Sequence, residues 1–178
     1  NLSEVCQVVS NFPLDGSLER RTKNYWDSTL TADAEVHGDF VKSLHQRGMV
    51  EFRRKIVGQV GAFVVPKKSG KQRLIIDARR LNAALPRPPR TQLASTASLV
   101  EFQMPEQEEL SFSIQDIADC FYQFRVPAEL RLALGLRPVS LTALGLSGVD
   151  IVDGVTGDDD LVYPCLTGLP VGFSWALH

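Results

Sequence analysis

The chain has 178 residues, of which 44% are apolar and 22% charged, and its formal net charge is −2. This composition can fill the core of about one domain and argues against a disordered chain, and no apolar run is long enough to span a bilayer. The 3 cysteines and 3 histidines follow neither a disulfide framework nor the spacing of a zinc site, so we expect a reducing intracellular compartment, the nucleus or the cytoplasm.

Charge is divided unevenly along the chain. Residues 1–90 hold 16 Lys and Arg against 9 Asp and Glu, whereas residues 91–178 hold 3 against 12. Residues 53–90 are the most basic part, with 11 basic residues and a single acid, Asp77. This division favours a polyanion on one side and metal chemistry on the other, and the alternative is an uneven surface without a partner.

A helix and a β-hairpin are the first predicted elements. The helix covers residues 31–48, with apolar side chains on one face and Gly48 as its stop. Strands over 61–66 and 72–76 enclose the loop Lys67-Lys68-Ser69-Gly70-Lys71, which predicts a hairpin. Its lysines, with Arg73, suit a triphosphate. The alternative is a solvated surface turn without a ligand.

The second motif is Asp116 to Phe124, after a proline-rich connector and a predicted short helix at 94–102. Residues 110–115 alternate apolar and polar, which predicts a half-buried strand with Asp116 at its end. A carboxylate so placed is rigidly aimed and suits Mg²⁺. Asp119 begins a predicted helical turn, so either aspartate could instead cap that turn.

The third motif is Leu169 to Leu177, a Pro-x-Gly turn that opens a predicted helix from Phe173. Such a turn lets a nucleotide or a backbone approach closely, and an ordinary strand-to-helix turn is the alternative. A short strand is predicted at 161–163, after a Gly/Asp loop at 150–160. The acid cluster Gly157-Asp-Asp-Asp160 precedes the turn, whereas the similar pair of viral RNA polymerases follows it, so we interpret it as a solvated loop.

Three segments in this order resemble reverse transcriptases of retroviruses and LTR-type retroelements. Residues 63–82 resemble their fingers signature, 116–124 their first catalytic motif and 169–177 their next motif. The order of elements predicts an α+β class. The resemblance implies a partial right-hand polymerase fold, with a fingers β-hairpin, helices and the first part of an antiparallel palm sheet.

The resemblance also divides the chain into three regions and gives it an activity. These regions are a lead-in at 1–37, a fingers-like region at 38–109 with the basic hairpin at 61–77, and a palm-like region at 110–178. The implied activity is RNA-directed DNA polymerisation. Its partners would be an RNA or DNA template with its primer and dNTPs, with no membrane; the oligomeric state stays open.

The resemblance implies a role for each matched residue of the second motif. Asp116 would bind both catalytic Mg²⁺ ions, and Ile117 would offer its backbone carbonyl to one of them. Asp119 would lie near the triphosphate, where backbone amides contribute. Phe121 would exclude a ribose 2′-hydroxyl and so select deoxynucleotides.

The other two motifs would hold the incoming nucleotide. Arg73 would contact the triphosphate, and Lys67 its γ-phosphate, with Lys68 as the alternate if the loop register slips by one. In the third motif Val171 precedes Gly172 and stands where many family members have Gln, a departure that bears on how the nucleotide and template base are placed.

Both ends of the sequence suggest a fragment. The chain begins at Asn1 without a methionine and stops at His178, before any Tyr-x-Asp-Asp motif that would supply the other carboxylates. We therefore expect residues 1–178 to be inactive alone. The alternatives are a non-catalytic nucleic-acid-binding remnant of a decayed retroelement and an RNA-templated RNA polymerase, against which Phe121 argues.

Overall fold

The computed structural model describes residues 23–93, 95, 97–98, 111, 113–146, 151–152 and 160–177. Their helices and strands mix without regular alternation, which confirms the predicted α+β class. The helices are α1 (Ser28–Ala32), α2 (Ala34–Gln46), α3 (Arg79–Ala84), α4 (Cys120–Gln123), α5 (Ala128–Arg131) and α6 (Leu141–Leu144). The strands are β1 (Val50–Arg53), β2 (Gly61–Pro66), β3 (Gln72–Asp77), β4 (Val139–Ser140) and β5 (Leu161–Leu166). Within this part of the chain, no helix has the length and apolarity that a membrane crossing requires.

The strands form two small antiparallel sheets. The first has the order β1-β5-β4, with Val50 opposite Leu166 and Val139 opposite Val162. The second is the predicted hairpin, β2 and β3, which is confirmed with Gly61 opposite Asp77. Because β1 and β5 are distant in sequence, the first sheet joins the stretch that we named fingers-like to the stretch that we named palm-like.

The predicted helix at 31–48 is confirmed, but in two pieces. Asp33 separates α1 from α2 because its extended backbone (φ −127°) lets its carboxylate accept the Glu35 amide at 2.8 Å as an N-cap. Gly48 lies just beyond the end of α2 in the left-handed conformation (φ 64°), as its predicted stop requires.

One apolar cluster packs against both sheets. It draws on the hairpin, on α3, on the stretch from Val126 to Leu136 and on the third motif. Its innermost members, Val60, Leu130, Leu134 and Leu136, are fully buried. The first part of the apolar run at 130–146, whose type the sequence left open, is therefore core, and the run contains the short elements β4 and α6.

A carboxylate between two guanidinium groups ties β1 to α5. Glu51 accepts hydrogen bonds from Arg53 Nε at 2.6 Å and from Arg131 Nη1 at 2.6 Å. The three side chains are no more than 23% exposed. Each charge has lost much of its hydration, so this network is stable only while all its partners are present.

The predicted strand at 110–115 is wrong for its described residues. Residue 111 and residues 113–117 form no β-ladder, and Ile114 is 95% exposed. Apolar–polar alternation suits a strand, but a strand also needs a neighbour for its N–H and C=O groups. No described strand lies beside this segment, so Asp116 follows an irregular stretch instead of a sheet strand.

The helix predicted from Phe173 is a series of turns. The Phe173 amide bonds the Pro170 carbonyl at 3.3 Å and the Ala176 amide bonds the Phe173 carbonyl at 3.1 Å, both three residues back. Tertiary hydrogen bonds to α3, given below, hold this backbone in place of a regular helix. The predicted helix at 94–102 and loop at 150–160 lie largely outside the described residues.

Candidate nucleotide and nucleic-acid site

The hairpin loop presents its cations to solvent. The Lys67 amide donates to the Lys71 carbonyl at 2.6 Å, and Gly70 completes the turn in the left-handed region (φ 77°). Lys68, Lys71 and Arg73 are exposed and Lys67 is half-buried. None of these four side chains pairs with a carboxylate among the described residues, so their charge is available to an anion.

The second motif is an exposed turn that leads into α4. Asp116 is exposed, and Ile117 is 61% exposed. Asp119 occupies the N-cap position of α4 with a left-handed backbone (φ 50°, ψ 34°) and makes no side-chain cap bond. Gln123 instead fastens the turn, through a 2.7 Å bond from its Nε2 to the Ala118 carbonyl. The helix-cap interpretation thus gains no support at Asp119.

Tyr122 joins the second motif to the hairpin. Its hydroxyl donates to the Leu74 carbonyl of β3 at 3.0 Å. Burial raises the pKa of this phenol above its ordinary value, the Asp119 carboxylate raises it further, and the Arg73 guanidinium lowers it. Asp119 and Arg73, predicted separately as nucleotide-binding residues, therefore both lie within electrostatic range of one side chain.

The second and third motifs run side by side. The Val126 amide donates to the Thr167 carbonyl at 3.0 Å, and the Leu169 amide donates to the Phe124 carbonyl at 2.9 Å. Gly168 lies so close to this neighbour that an added Cβ would be 3.0 Å from the Tyr122 carbonyl oxygen. This close approach explains why glycine occupies the position.

Asn82 of α3 fixes the third motif to the fingers signature. Its Nδ2 donates to the Gly172 carbonyl at 2.8 Å, and its Oδ1 accepts the Ser174 amide at 2.9 Å. The buried Trp175 adds a 2.9 Å bond from its indole N–H to the Pro86 carbonyl. Sequence reasoning gave no role to Asn82 or Tyr122, yet these two side chains hold the three motifs together.

A cavity of about 530 Å³ lies between the base of the hairpin and the third motif. Phe63, Ile75 and Val171 give it apolar walls, with Gly172 beside them. Tyr25 also lines it, packed edge-on against Phe63 with ring centroids 5.0 Å apart. An apolar, partly aromatic wall suits the face of a flat heterocycle.

Asp77 is the anchor of this cavity wall. Its carboxylate accepts the Tyr25 amide at 2.7 Å and two bonds from the Arg79 guanidinium, at 2.8 and 2.7 Å. Arg79 is the main reason that the pKa of Asp77 falls from 3.8 to about 2. Asp77 was given no role from sequence alone, although its position as the single acid of the basic stretch 53–90 was a signal that could have indicated one.

The carboxylates divide between structural and unpartnered ones. Asp160 of the acid cluster accepts the Thr142 amide at 3.1 Å, and the Ser140 hydroxyl lowers the pKa of its carboxyl below the ordinary value. Asp160 thus fastens α6. No set of three or more His, Cys, Asp and Glu side chains within the described ranges is arranged to hold a metal. Asp116 is exposed and has no described partner. Magnesium in general binds through one or two carboxylates plus phosphates and water.

No protein-family model matches this chain, and no curated protein matches it. The likeness to reverse transcriptases therefore stays a prediction, based on three sequence motifs and their order.

Proposed function

We propose that this chain is the fingers and N-terminal palm part of an RNA-directed DNA polymerase of the retroelement type. The observation that supports it best is that three motifs, chosen from sequence alone, contact one another. Tyr122 bonds β3, the strand of Arg73. Residues 124–126 bond residues 167–169, and Asn82 bonds Gly172. The cationic hairpin, the second motif with its aspartates and the apolar cavity thus belong to one connected region.

In this proposal the charged residues divide the work of nucleotidyl transfer. Arg73 and the lysines at 67 and 68 bind the triphosphate of the incoming dNTP and offset its charge. Asp116 and the Ile117 carbonyl hold Mg²⁺, which when bound stabilises the attacking and leaving oxygens. Asp119 and its left-handed turn position backbone amides near the phosphates.

The apolar residues select the sugar and the base. Phe121, half-buried beside Tyr122, blocks the space that a ribose 2′-hydroxyl would need. Val171 supplies apolar contact where many reverse transcriptases have a glutamine, so a base here is positioned by packing and stacking rather than by a side-chain amide.

A binding assay tests the nucleic-acid part. We expect residues 1–178 to bind a fluorescent RNA–DNA primer–template, with an affinity that falls steeply between about 50 and 200 mM salt. Lys68→Gln with Arg73→Gln should weaken binding at least tenfold at low salt, about 1.4 kcal/mol. Lys23→Gln with Lys42→Gln removes the same charge elsewhere and should have little effect. Absence of binding, or an equal loss in both pairs, contradicts the proposal.

Nucleotide binding tests the catalytic part. With Mn²⁺ as a spectroscopic probe, dTTP should bind to wild type and bind more weakly to Asp116→Asn. Phe121→Ala should reduce the preference for dUTP over UTP, which differ only in the 2′-hydroxyl, by about tenfold. Primer extension by residues 1–178 alone should fail, since Asp116 is the one carboxylate that we assign to a two-metal site. Primer–template binding without any metal–dNTP binding would favour the non-catalytic remnant instead.

A further inference from the structure

A second, smaller pocket lies behind the second motif. Its volume is about 50 Å³, and its lining includes Arg47 and Gly48 from the end of α2. Tyr122, Arg125 and Thr167 also line it. The space exceeds that of a single water molecule but is far too small for a nucleotide.

Both arginines are held in place through one nitrogen. Arg125 Nη1 donates to the Gly48 carbonyl at 2.7 Å and to the Thr167 hydroxyl at 2.6 Å, and Thr167 itself donates to Gly48 at 2.8 Å. Arg47 Nη1 donates to the Ser43 carbonyl at 2.9 Å and also bonds the Ser43 hydroxyl. Each guanidinium is therefore pre-positioned with further N–H groups to offer.

The two arginines of this pocket differ from the arginines that form ion pairs. Arg53 and Arg131 share Glu51, and Arg79 pairs with Asp77. Within the described part of the chain, neither Arg47 nor Arg125 pairs with a carboxylate. Two like charges at one small pocket repel each other, and a bound anion removes that cost.

We propose that this pocket binds a single phosphate-type oxyanion between Arg47 and Arg125. A backbone phosphodiester of a nucleic-acid strand is the expected source. Tyr122 lines the pocket, and its hydroxyl donates to the Leu74 carbonyl of the basic hairpin. The pocket therefore adjoins the face that we assign to a polyanion. This choice of source rests on the proposed function; the oxyanion chemistry itself does not.

Two measurements separate the sources. In the first, primer–template binding by Arg47→Gln is followed against salt, with Lys42→Gln on the same helix as the matched control. Loss of one phosphate contact should lower the slope of log affinity against log salt by about 0.9, and the control should not change it. In the second, inorganic phosphate is added at constant ionic strength, and the rise in Tm of wild type should be absent in Arg47→Gln.

A reduced slope supports the site and identifies nucleic acid as its ligand. A lost phosphate response supports the site with free phosphate as its ligand in two cases: when the slope is unchanged, and when the chain binds no nucleic acid and the proposed function fails. If Arg47→Gln changes neither measurement while circular dichroism shows it folded, the site is refuted. Arg125→Lys, which keeps the charge but loses the forked geometry, should fall between wild type and Arg47→Gln in both.

Discussion

Charged side chains are used in opposite ways in two regions of this chain. Between β1 and α5, Glu51 lies at 2.6 Å from each of two guanidinium groups, and all three are largely withdrawn from solvent. On the hairpin and the second motif, Lys68, Arg73 and Asp116 are exposed and have no described carboxylate or cation partner. The first set holds the fold together, whereas the second contributes little to it, and its charge is the charge that we propose binds a ligand.

The largest expected effect is at Glu51. Glu51→Gln leaves the buried guanidinium group of Arg53 and the half-buried one of Arg131 without this counter-charge. It should reduce the free energy of unfolding by about 3 kcal/mol. Urea unfolding measures this. Glu129→Gln removes an exposed carboxylate beside Arg131 on α5 and should cost less than about 0.5 kcal/mol. Similar losses of unfolding free energy in the two variants would mean that the buried network is no more important to stability than an exposed charge.

The second-largest loss of stability should be at Asp77. Its charge is paired with Arg79, but it lies at the base of the hairpin whose lysines and Arg73 have no described ion pair. Its folded pKa of about 2 lies below the ordinary 3.8, so its contribution is complete above pH 3.8 and is lost as the pH falls through about 2. Asp77→Asn should cost about 1–2 kcal/mol at pH 7, after allowance for the exposed Arg79. Unfolding curves of wild type and variant should converge near pH 2; a constant gap would argue against this pKa.

Tyr122→Phe tests the connection between the second motif and the hairpin. It removes the hydrogen bond to the Leu74 carbonyl and should cost about 1 kcal/mol. Amide hydrogen exchange should accelerate in β3 and in α4. Tyr163→Phe on β5 is the control, and faster exchange in that variant as well would mean that the effect is not specific to the link.

The smallest effects on stability should be at the exposed residues. Asp116→Asn and Arg73→Gln should each change the free energy of unfolding by less than about 0.5 kcal/mol. The same variants should clearly weaken metal–dNTP binding. A large loss of stability in either variant, in urea or thermal unfolding, would show that the charge stabilises the fold, as the charge of Glu51 does.

The local elements were predictable from sequence because their signals are local. The hairpin has two apolar runs around a lysine- and glycine-containing loop, and its observed register extends the second predicted strand by one residue, to Asp77. Helix α2 shows its face through Val41 and Leu44 and its end through Gly48.

The tertiary pairings were not predictable in the same way. Strand β1 pairs with β5, which lies far along the chain. The apolar pattern within a strand predicts which face is buried but does not predict which strand it pairs with. Residues 110–115 show the converse, since a good strand pattern has no described neighbour to pair with. The roles of Asn82 and Tyr122 depend on carbonyls of distant segments, which a residue type alone does not specify.

The bond from Tyr122 to Leu74 has a thermodynamic consequence. A ligand at Arg73 that shifts β3 also changes the energy of the turn that carries Asp119, because one phenol is attached to both. Such linkage is reciprocal: if a phosphate at the hairpin strengthens metal binding at Asp116, the metal strengthens phosphate binding by the same free energy. Binding of the two should therefore be cooperative in wild type, and Tyr122→Phe should make it more nearly independent.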